Sequence, residues 1–510
     1  MINNVAYLLE ETVRNYPNKI GFSDIENQMT FSDFAITAKK IATSLINGFE
    51  WKKPIVVMME KNVQQLTVFL GIAYSGNFYV PIDTKMPEER IKLILGILDT
   101  ELVITDNLSF EKVSAILKND SIKVLTYGDI TSCSVNEEAI YKRMENTISI
   151  SPLYVLFTSG STGVPKGVVI THGSVCDYID WLTETFCFNA ETIFANQAPF
   201  YFDNSILDIY TTIKVGATMH IIPETYFMFP AKLIDYLNEN KINTIFWVPS
   251  AISVLANIDS MKEKKPEYIK KVLFCGEVMP NKQLNYWRRK LPNVMYANLY
   301  GPTEITDVCT YYIVDREFQD DEPLPIGKAC KNTEVLILNE KNKESAVNEI
   351  GELCVRGLCL AKGYYGDMEK TNEAFVQNPL NNKWNDYIYR TGDLVKMNDL
   401  NEIIYICRKD FQIKHMGHRI ELGEIETATY AFEKVEQCCA LYNDKEQKII
   451  LVCSVNAGDI TEKEIYKGLQ KKLPKYMLPS VIIIKEKLSL NGNGKIDRSL
   501  LKQKMEAEKW

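Results

Sequence analysis

The sequence predicts an α/β protein with a large N-terminal region of mostly parallel, doubly covered sheets. A small β-rich subdomain follows it, and a small α+β domain ends the chain. Three observations predict this. Short apolar runs at Ile55–Met58, Leu102–Thr105, Thr244–Val248 and Lys271–Phe274 alternate with helical patterns such as that through Val63, Leu66, Phe69 and Leu70. Strands that are apolar on both faces belong to sheets covered by helices, whose ligands gather at the carboxyl ends of the strands. From about Leu324 to Lys396 the texture shifts to short strands and Gly, Asn and Asp turns. Past Arg408-Lys409-Asp410 it shifts again, to a helix from Glu421, a strand at Ile449–Val452 and a helix opened by Thr461 and Glu464 as a capping box. Ile465, Leu469 and Leu473 fall on one face of that last helix. The expected domains are therefore 1–409, with the β-rich subdomain over about 324–409, and 410–510.

A chain of 510 residues exceeds one ordinary core, and 46% hydrophobic with 24% charged residues is the balance of a globular protein. A net charge of -8 argues against a nucleic-acid partner. The twelve cysteines form no C-x-x-C pair, and the four histidines lack zinc spacing, so reduced thiols in a reducing compartment are expected. The start lacks a basic n-region and a long apolar stretch, and no run approaches the ~18 apolar residues of a membrane span. A cytoplasmic protein without membrane insertion is expected.

The most informative segment is Leu153-Tyr-Val-Leu-Phe-Thr-Ser-Gly-Ser-Thr-Gly-Val-Pro-Lys-Gly-Val-Val-Ile-Thr171. Two strand-like runs flank a loop in which Gly160, Gly163 and Gly167 let backbone N–H groups approach phosphate oxygens. Thr158, Ser159, Ser161 and Thr162 add hydroxyl donors, and Lys166 adds a positive charge. Three glycines alone would equally describe a surface turn. The hydroxyls and the lysine between two apolar strands favour a polyphosphate cradle. It is not a Walker loop, because no Gly-Lys-Ser/Thr follows and a strand comes next.

This segment resembles the core signature of the adenylate-forming superfamily of acyl-CoA synthetases, luciferases and peptide-synthetase adenylation domains. Further motifs follow in that family's order. Asn298-Leu-Tyr-Gly-Pro-Thr-Glu304 resembles its adenylate motif, which implies Tyr300 on adenine with Gly301 beside it, Asn298 at the adenine amino group, Thr303 at phosphate and Glu304 on Mg²⁺. Tyr389-Arg-Thr-Gly-Asp393 resembles the ribose motif, with Asp393 as acceptor. Arg408 resembles a ribose or phosphate contact and Asp410 the hinge of a C-terminal domain that the resemblance implies is mobile, although Cys407 stands where the family generally has glycine. Gly351–Gly357 with Gly363-Tyr-Tyr365 resembles a structural β motif to which no chemistry is assigned. His418–Glu426 resembles the loop that enters the site in the second half-reaction, and charge pairs on a solvated helix would also explain it. Asn491-Gly-Asn-Gly-Lys-Ile-Asp-Arg498 resembles the motif whose Lys495 catalyses adenylation. Gly276 and Glu277 are placed at the nucleotide by the same resemblance.

Phe202-Asp-Asn-Ser205 bears on the acid. In amino-acid-activating members the aspartate at Asp203 pairs with the substrate α-ammonium, whereas a helix N-cap is the plainer reading of such a residue. The resemblance implies a pocket of Asn204, Leu207, Phe246, Leu273, Cys275, Leu299, Asp307 and Val308. Segments 198–210 and 273–281 are most similar to D-alanine:carrier-protein ligases. Asp307 does not fit a small methyl-bearing substrate: it faces away, or the substrate carries a second polar or cationic group.

The implied activity is ATP-dependent activation of an amino acid as aminoacyl-AMP, with ATP and Mg²⁺. Transfer to the phosphopantetheine thiol of a separate carrier protein follows, since no carrier segment is visible. An acyl- or aryl-CoA ligase, a D-alanine:carrier-protein ligase specifically, and an inactive scaffold homologue are the alternatives.

Overall fold

The computed structural model describes residues 4–118, 121–160, 163–455, 460–489 and 496–507. They form two compact units. One comprises Met1–Thr84, Leu98–Leu156 and Gly167–Lys409, and the other Lys85–Ile97, Phe157–Lys166 and Asp410–Trp510.

Two large sheets dominate the first unit. Six parallel strands lie in the order Met295–Tyr300, Lys271–Phe274, Thr244–Trp247, Ile193–Asn196, Thr218–Ile221 and Ile20–Ser23. Antiparallel strands extend them at both edges, Thr310–Ile313 and Lys328–Ala329 on one side and Gln28–Thr30 on the other. The second sheet runs Lys123–Thr126, Leu102–Thr105, Pro54–Met58, Phe78–Pro81, Pro152–Thr158 and Lys166–Thr171. The apolar runs form strands because each is buried on both faces: Pro54–Met58 and Leu102–Thr105 are buried throughout. The strand at Thr244 ends at Trp247, one residue short of the expected run, because Val248 turns out as the N-cap of a helix that opens on Pro249.

Side-chain alternation divides the nine-stranded sheet into two faces. Ile245, Trp247, Val272, Phe274 and Tyr296 pack into one apolar cluster with Trp287. Phe246, Leu273, Ala297 and Leu299 point the other way, into a cluster with Tyr154, Tyr178 and Leu207. Phe246 pairs with Leu273, and Leu273 with Ala297, so pocket residues far apart in sequence become neighbours on one face. A five-stranded sheet built from Thr333–Leu338, Gly351–Gly357, Phe375–Gln377, Tyr387–Met397 and Ile403–Arg408 completes this unit. Lys328–Ala329 belongs to the nine-stranded sheet instead.

In the second unit, strands Val435–Asn443, Lys448–Val455 and Val481–Lys485 form a sheet against helices Leu422–Tyr430 and Glu462–Lys472. The helix expected from Glu421 starts at Leu422 with Glu421 as N-cap, and Thr461 and Glu464 form the capping box. Ile465, Leu469 and Leu473 are buried together. A hairpin joins Gln412–His415 to His418–Glu421 through Met416 and Gly417, whose φ angles of 52° and 79° are those of a tight primed turn. The charges of this segment do not lie on a solvated helix. Glu424 is 2% exposed and pairs with Arg90, itself 4% exposed, while Glu421 accepts from Gln412. Burial raises the Glu424 pKa even though Arg90 pulls it down.

All twelve cysteines are free, and nine are buried. Among the described residues no helix is long and apolar enough to cross a membrane.

Arg90→Met leaves a buried carboxylate without its cation and should lower the stability of the full chain by about 3–5 kcal/mol in denaturant titrations. Pairing it with Glu424→Leu should restore most of that loss. His172 is buried, its Nδ1 accepts from Val5 N at 3.4 Å, and burial pushes its pKa down to about 3. The unfolded chain takes up that proton below about pH 6.5 and the folded chain does not, so stability should fall as pH drops from 6.5 toward 3. His172→Gln should flatten that part of the profile.

Candidate active site

In the first unit the carboxyl end of Met295–Tyr300 meets the five-stranded sheet at a buried carboxylate. Asp393, 3% exposed, accepts the Tyr300 hydroxyl and a 3.1 Å bond from Arg408 Nη1. Register places Asp393 opposite Arg408, and Arg408 also donates to Thr391 O at 2.7 Å. Burial first, then Asp393, raises the Tyr300 pKa well above its usual value, so the phenol stays protonated and donates. Tyr300, Asp393 and Arg408, three of the five residues expected at adenine and ribose, thus converge. Asn298 donates to Pro325 O at 2.8 Å. Cys407 sits in an ordinary strand with no left-handed φ, so nothing at that position requires glycine.

Glu304 is fully buried in a short turn after this strand, and its Oε1 accepts from the Tyr364 hydroxyl at 2.9 Å. Tyr364 is held by a bridge to Val168 in the strand after the glycine-rich loop. The segment Gly363-Tyr-Tyr365, given no chemistry from sequence, therefore positions the proposed metal ligand. Among the described residues no three His, Cys, Asp or Glu gather as a metal cage. One fixed carboxylate suits a magnesium ion that takes its other ligands from water and phosphates.

The residues expected to bind the substrate centre on the turn before helix Asn204–Val215. Asp203 Oδ1 accepts from Asn204 N at 2.9 Å at the head of that helix, and Oδ2 accepts from Thr303 Oγ1 at 2.6 Å. Thr303, expected at phosphate, here joins the adenylate motif to the Asp203 carboxylate. Asp307 is 1% exposed and accepts from the Tyr178 hydroxyl at 2.6 Å. It does not face solvent. Leu207, Phe246, Leu273, Cys275, Leu299 and Val308 are all buried in one cluster with Tyr154 and Tyr178. Gly276, at φ 101°, lies where an added Cβ would be 3.8 Å from the Asn204 side-chain amide, and Glu277 accepts from Ser250 N at 2.8 Å.

Beneath the Asp203 turn, Lys61 Nζ donates to Gln197 O at 3.0 Å and Asn196 Nδ2 donates to Asp208 at 2.9 Å. Burial moves Lys61 down to about 7 and Asp208 up to about 8.

The glycine-rich loop belongs to the second unit. Gly163 N donates to Gly160 O at 2.9 Å, closing a tight turn, and Gly163 has a φ of 81°. A Cβ on Gly160 would stand 2.1 Å from Val164 O, so only glycine allows the backbone to close here. Ser159 Oγ donates to Arg419 O at 2.8 Å and accepts from Glu421 N at 3.2 Å, whereas the buried Thr158 hydroxyl has no hydrogen-bond partner among the described residues. A closed backbone turn with an orphaned hydroxyl suits an anionic ligand. Asp410 accepts from Gln412 N at 3.1 Å. Ser161, Thr162 and Lys495 lie outside the described residues. A surface hollow lined by Trp51, Lys142 and Arg143 contains none of the site residues.

Tyr154, Tyr178, Tyr364 and Arg90 are not identifiable from the sequence alone. Tyr154 and Tyr364 lie inside quoted motifs that assign them no role, and Tyr178 and Arg90 are ordinary residues of helical surroundings.

The sequence profile described as AMP-binding enzyme matches residues 9–365, and that of the AMP-binding enzyme C-terminal domain matches residues 424–495. A mycosubtilin synthase of Bacillus subtilis is 31% identical over 98% of this chain, which spans 19% of that protein's length. A D-alanine–D-alanyl carrier protein ligase of Lacticaseibacillus rhamnosus is 28% identical over 98% of this chain and 99% of its own. The Vibrio cholerae adenylation domain AlmE, solved with glycyl-adenosine-5'-phosphate, shares the fold with a TM-score of 0.85 at 19% identity, covering 99% of this chain and 98% of its own. With its motifs in order and the first profile spanning most of its length, the chain belongs to the AMP-binding enzyme family.

Proposed function

We propose that this enzyme activates an amino acid with ATP, forming aminoacyl-AMP and pyrophosphate, and then passes the aminoacyl group to the phosphopantetheine thiol of a separate carrier protein. The observation that carries the amino-acid reading is Asp203. Its carboxylate sits at a helix head, held by Thr303, at the edge of an apolar pocket, where a substrate α-ammonium would neutralise it. The likeness to a D-alanyl carrier protein ligase over nearly the whole of both chains supports the carrier-protein acceptor.

In this reading the substrate carboxylate attacks the α-phosphorus and pyrophosphate leaves. Asp393 accepts from the ribose hydroxyls, with Tyr300 and Arg408 fixing its position. The glycine-rich loop, with Thr158, Ser159, Ser161, Thr162 and Lys166, holds the phosphates. Glu304, oriented by Tyr364, would hold Mg²⁺, which offsets phosphate charge. Lys495 neutralises the charge that builds between carboxylate and phosphate, and Asp410 is the hinge between 1–409 and 410–510. In the second half the thiol attacks the mixed anhydride and AMP leaves, so no enzyme nucleophile is needed.

Lys495→Ala should suppress amino-acid-dependent ATP–pyrophosphate exchange while sparing aminoacyl transfer from preformed aminoacyl-AMP to a holo-carrier. Equal loss of both halves would refute the role. Asp393→Asn should weaken ATP, read as its KM, by about 10- to 100-fold, the scale of hydrogen bonds to a charged group. It should leave the amino-acid KM nearly unchanged.

A further inference from the structure

Asp203 stands at the end of a turn, residues 197–203, between the strand Ile193–Asn196 and the helix Asn204–Val215. Where its carboxylate lies depends on what fixes that turn. The two legs are tied to each other at the base, where Asn196 Nδ2 donates to Asp208 Oδ2 in the helix at 2.9 Å. Within the turn, Phe202 N returns to Pro199 O at 3.1 Å. Both bonds are internal to the strand–turn–helix unit. Its far end is tied outward by Thr303, which donates to Asp203.

The near end is tied by a residue of the other large sheet. The loop after strand Pro54–Met58 is itself pinned, with Glu60 N donating to Asp106 Oδ2 at 2.7 Å and Val63 N to Asp24 Oδ2 at 2.9 Å. Asn62 caps the helix Val63–Tyr74, accepting from Gln65 N at 3.0 Å. From this fixed loop Lys61 reaches the turn, where its Nζ donates to Gln197 O at 3.0 Å and to Asn196 O at 3.4 Å. The Asn196 carbonyl also accepts from Ile222 N at 3.1 Å, whereas the Gln197 carbonyl takes its hydrogen bond from Lys61. Lys61 Nζ stands 5.4 Å from the centroid of the Phe200 ring, in the middle of the turn. That ring meets Phe69, of the helix that Lys61 precedes, edge-on at 6.1 Å. Withdrawing an ammonium from water is costly. Carbonyl acceptors and the Asp208 charge offset that cost here, whereas an alkyl chain would fill the space without it.

We propose that Lys61 is a positioning residue for the amino acid: through Gln197 O and Phe200 it places the turn 197–203, and so holds the Asp203 carboxylate where it meets the α-ammonium. Lys61 does not touch the substrate and acts through Asp203. Released at Gln197 O, the turn would pivot on its helix end and carry Asp203 with it. Tyr300, Asp393 and Arg408 lie on other strands, so the nucleotide contacts depend on Lys61 far less. This inference rests on the amino-acid-activation reading above and adds to it a residue from the second sheet.

The test is ATP–pyrophosphate exchange by the full chain, first over the protein amino acids and their D-enantiomers to find the best substrate, then with Lys61 variants. Lys61→Met fills the same space without a donor. It should raise the KM for that amino acid by about 10- to 100-fold, the scale of a hydrogen bond from a charged group. The ATP KM should change far less, and Lys61→Arg, which keeps the donors, should recover most of the loss. The carboxylic acid of the same skeleton without the α-amino group makes no use of Asp203. Its Ki as a competitor of the amino acid should therefore be the same in the wild type and in Lys61→Met. A lysine that served stability alone would lower the active fraction, reducing kcat with both KM values unmoved. That outcome, equal rises in both KM values, or an unchanged amino-acid KM would overturn the inference and leave amino-acid activation standing. Should Lys61→Met fail to fold, Lys61→Gln, with a shorter polar side chain, decides on the same terms. No exchange with any amino acid would overturn the activation reading, and this inference with it.

Discussion

Burying a carboxylate costs several kcal/mol unless donors replace the water it loses, and the first unit meets that cost three times with a tyrosine. Tyr300 donates to Asp393, Tyr364 to Glu304 and Tyr178 to Asp307. A phenol in a buried setting remains protonated, as the upward shifts at Tyr300 and Tyr178 indicate. It therefore fixes a carboxylate without cancelling its charge. At Asp393, Arg408 adds a cation as well.

These bonds also tie distant pieces of chain to one another. Tyr364 is anchored on the strand after the glycine-rich loop, Glu304 follows the strand Met295–Tyr300, and Tyr178 rises from helix His172–Phe186. The carboxyl ends of the parallel strands would leave loose loops if packing alone held them. Buried phenol–carboxylate bonds give those loops a defined geometry, since breaking one leaves an unsatisfied polar group inside.

Much of this is legible in sequence for physical reasons. Strands buried on both faces are continuous apolar runs, which is why Leu102–Thr105 and Lys271–Phe274 end where the pattern predicts. Thr461 and Glu464 act locally, so their capping box is readable. The partners of the carboxylates are not readable, because Tyr178 and Asp307 are brought together only by tertiary packing and neither sits in a local pattern. The pairing of Arg90 with Glu424 joins residues 334 positions apart, and no spacing rule reaches that far. The strand edge at Lys328–Ala329 is hidden for the same reason: its partner, not its composition, decides which sheet it joins.

Asp203 removes an opposition that the sequence poses. A helix N-cap and an ammonium partner look like rival readings, yet the carboxylate has two oxygens with about four acceptor positions between them. One oxygen takes the Asn204 N–H at the helix head, and the other takes the Thr303 hydroxyl. Both bonds stabilise the ionised form, and neither donor carries a charge that would cancel it. Capping is therefore compatible with an amine partner rather than opposed to one. The helix N-terminus adds its own positive potential, which favours the carboxylate as an anion before any substrate arrives. Because Thr303 precedes Glu304 in the same short turn, any shift of that turn would move the Asp203 carboxylate with it, and the Asp203 and Glu304 carboxylates act as one mechanical piece.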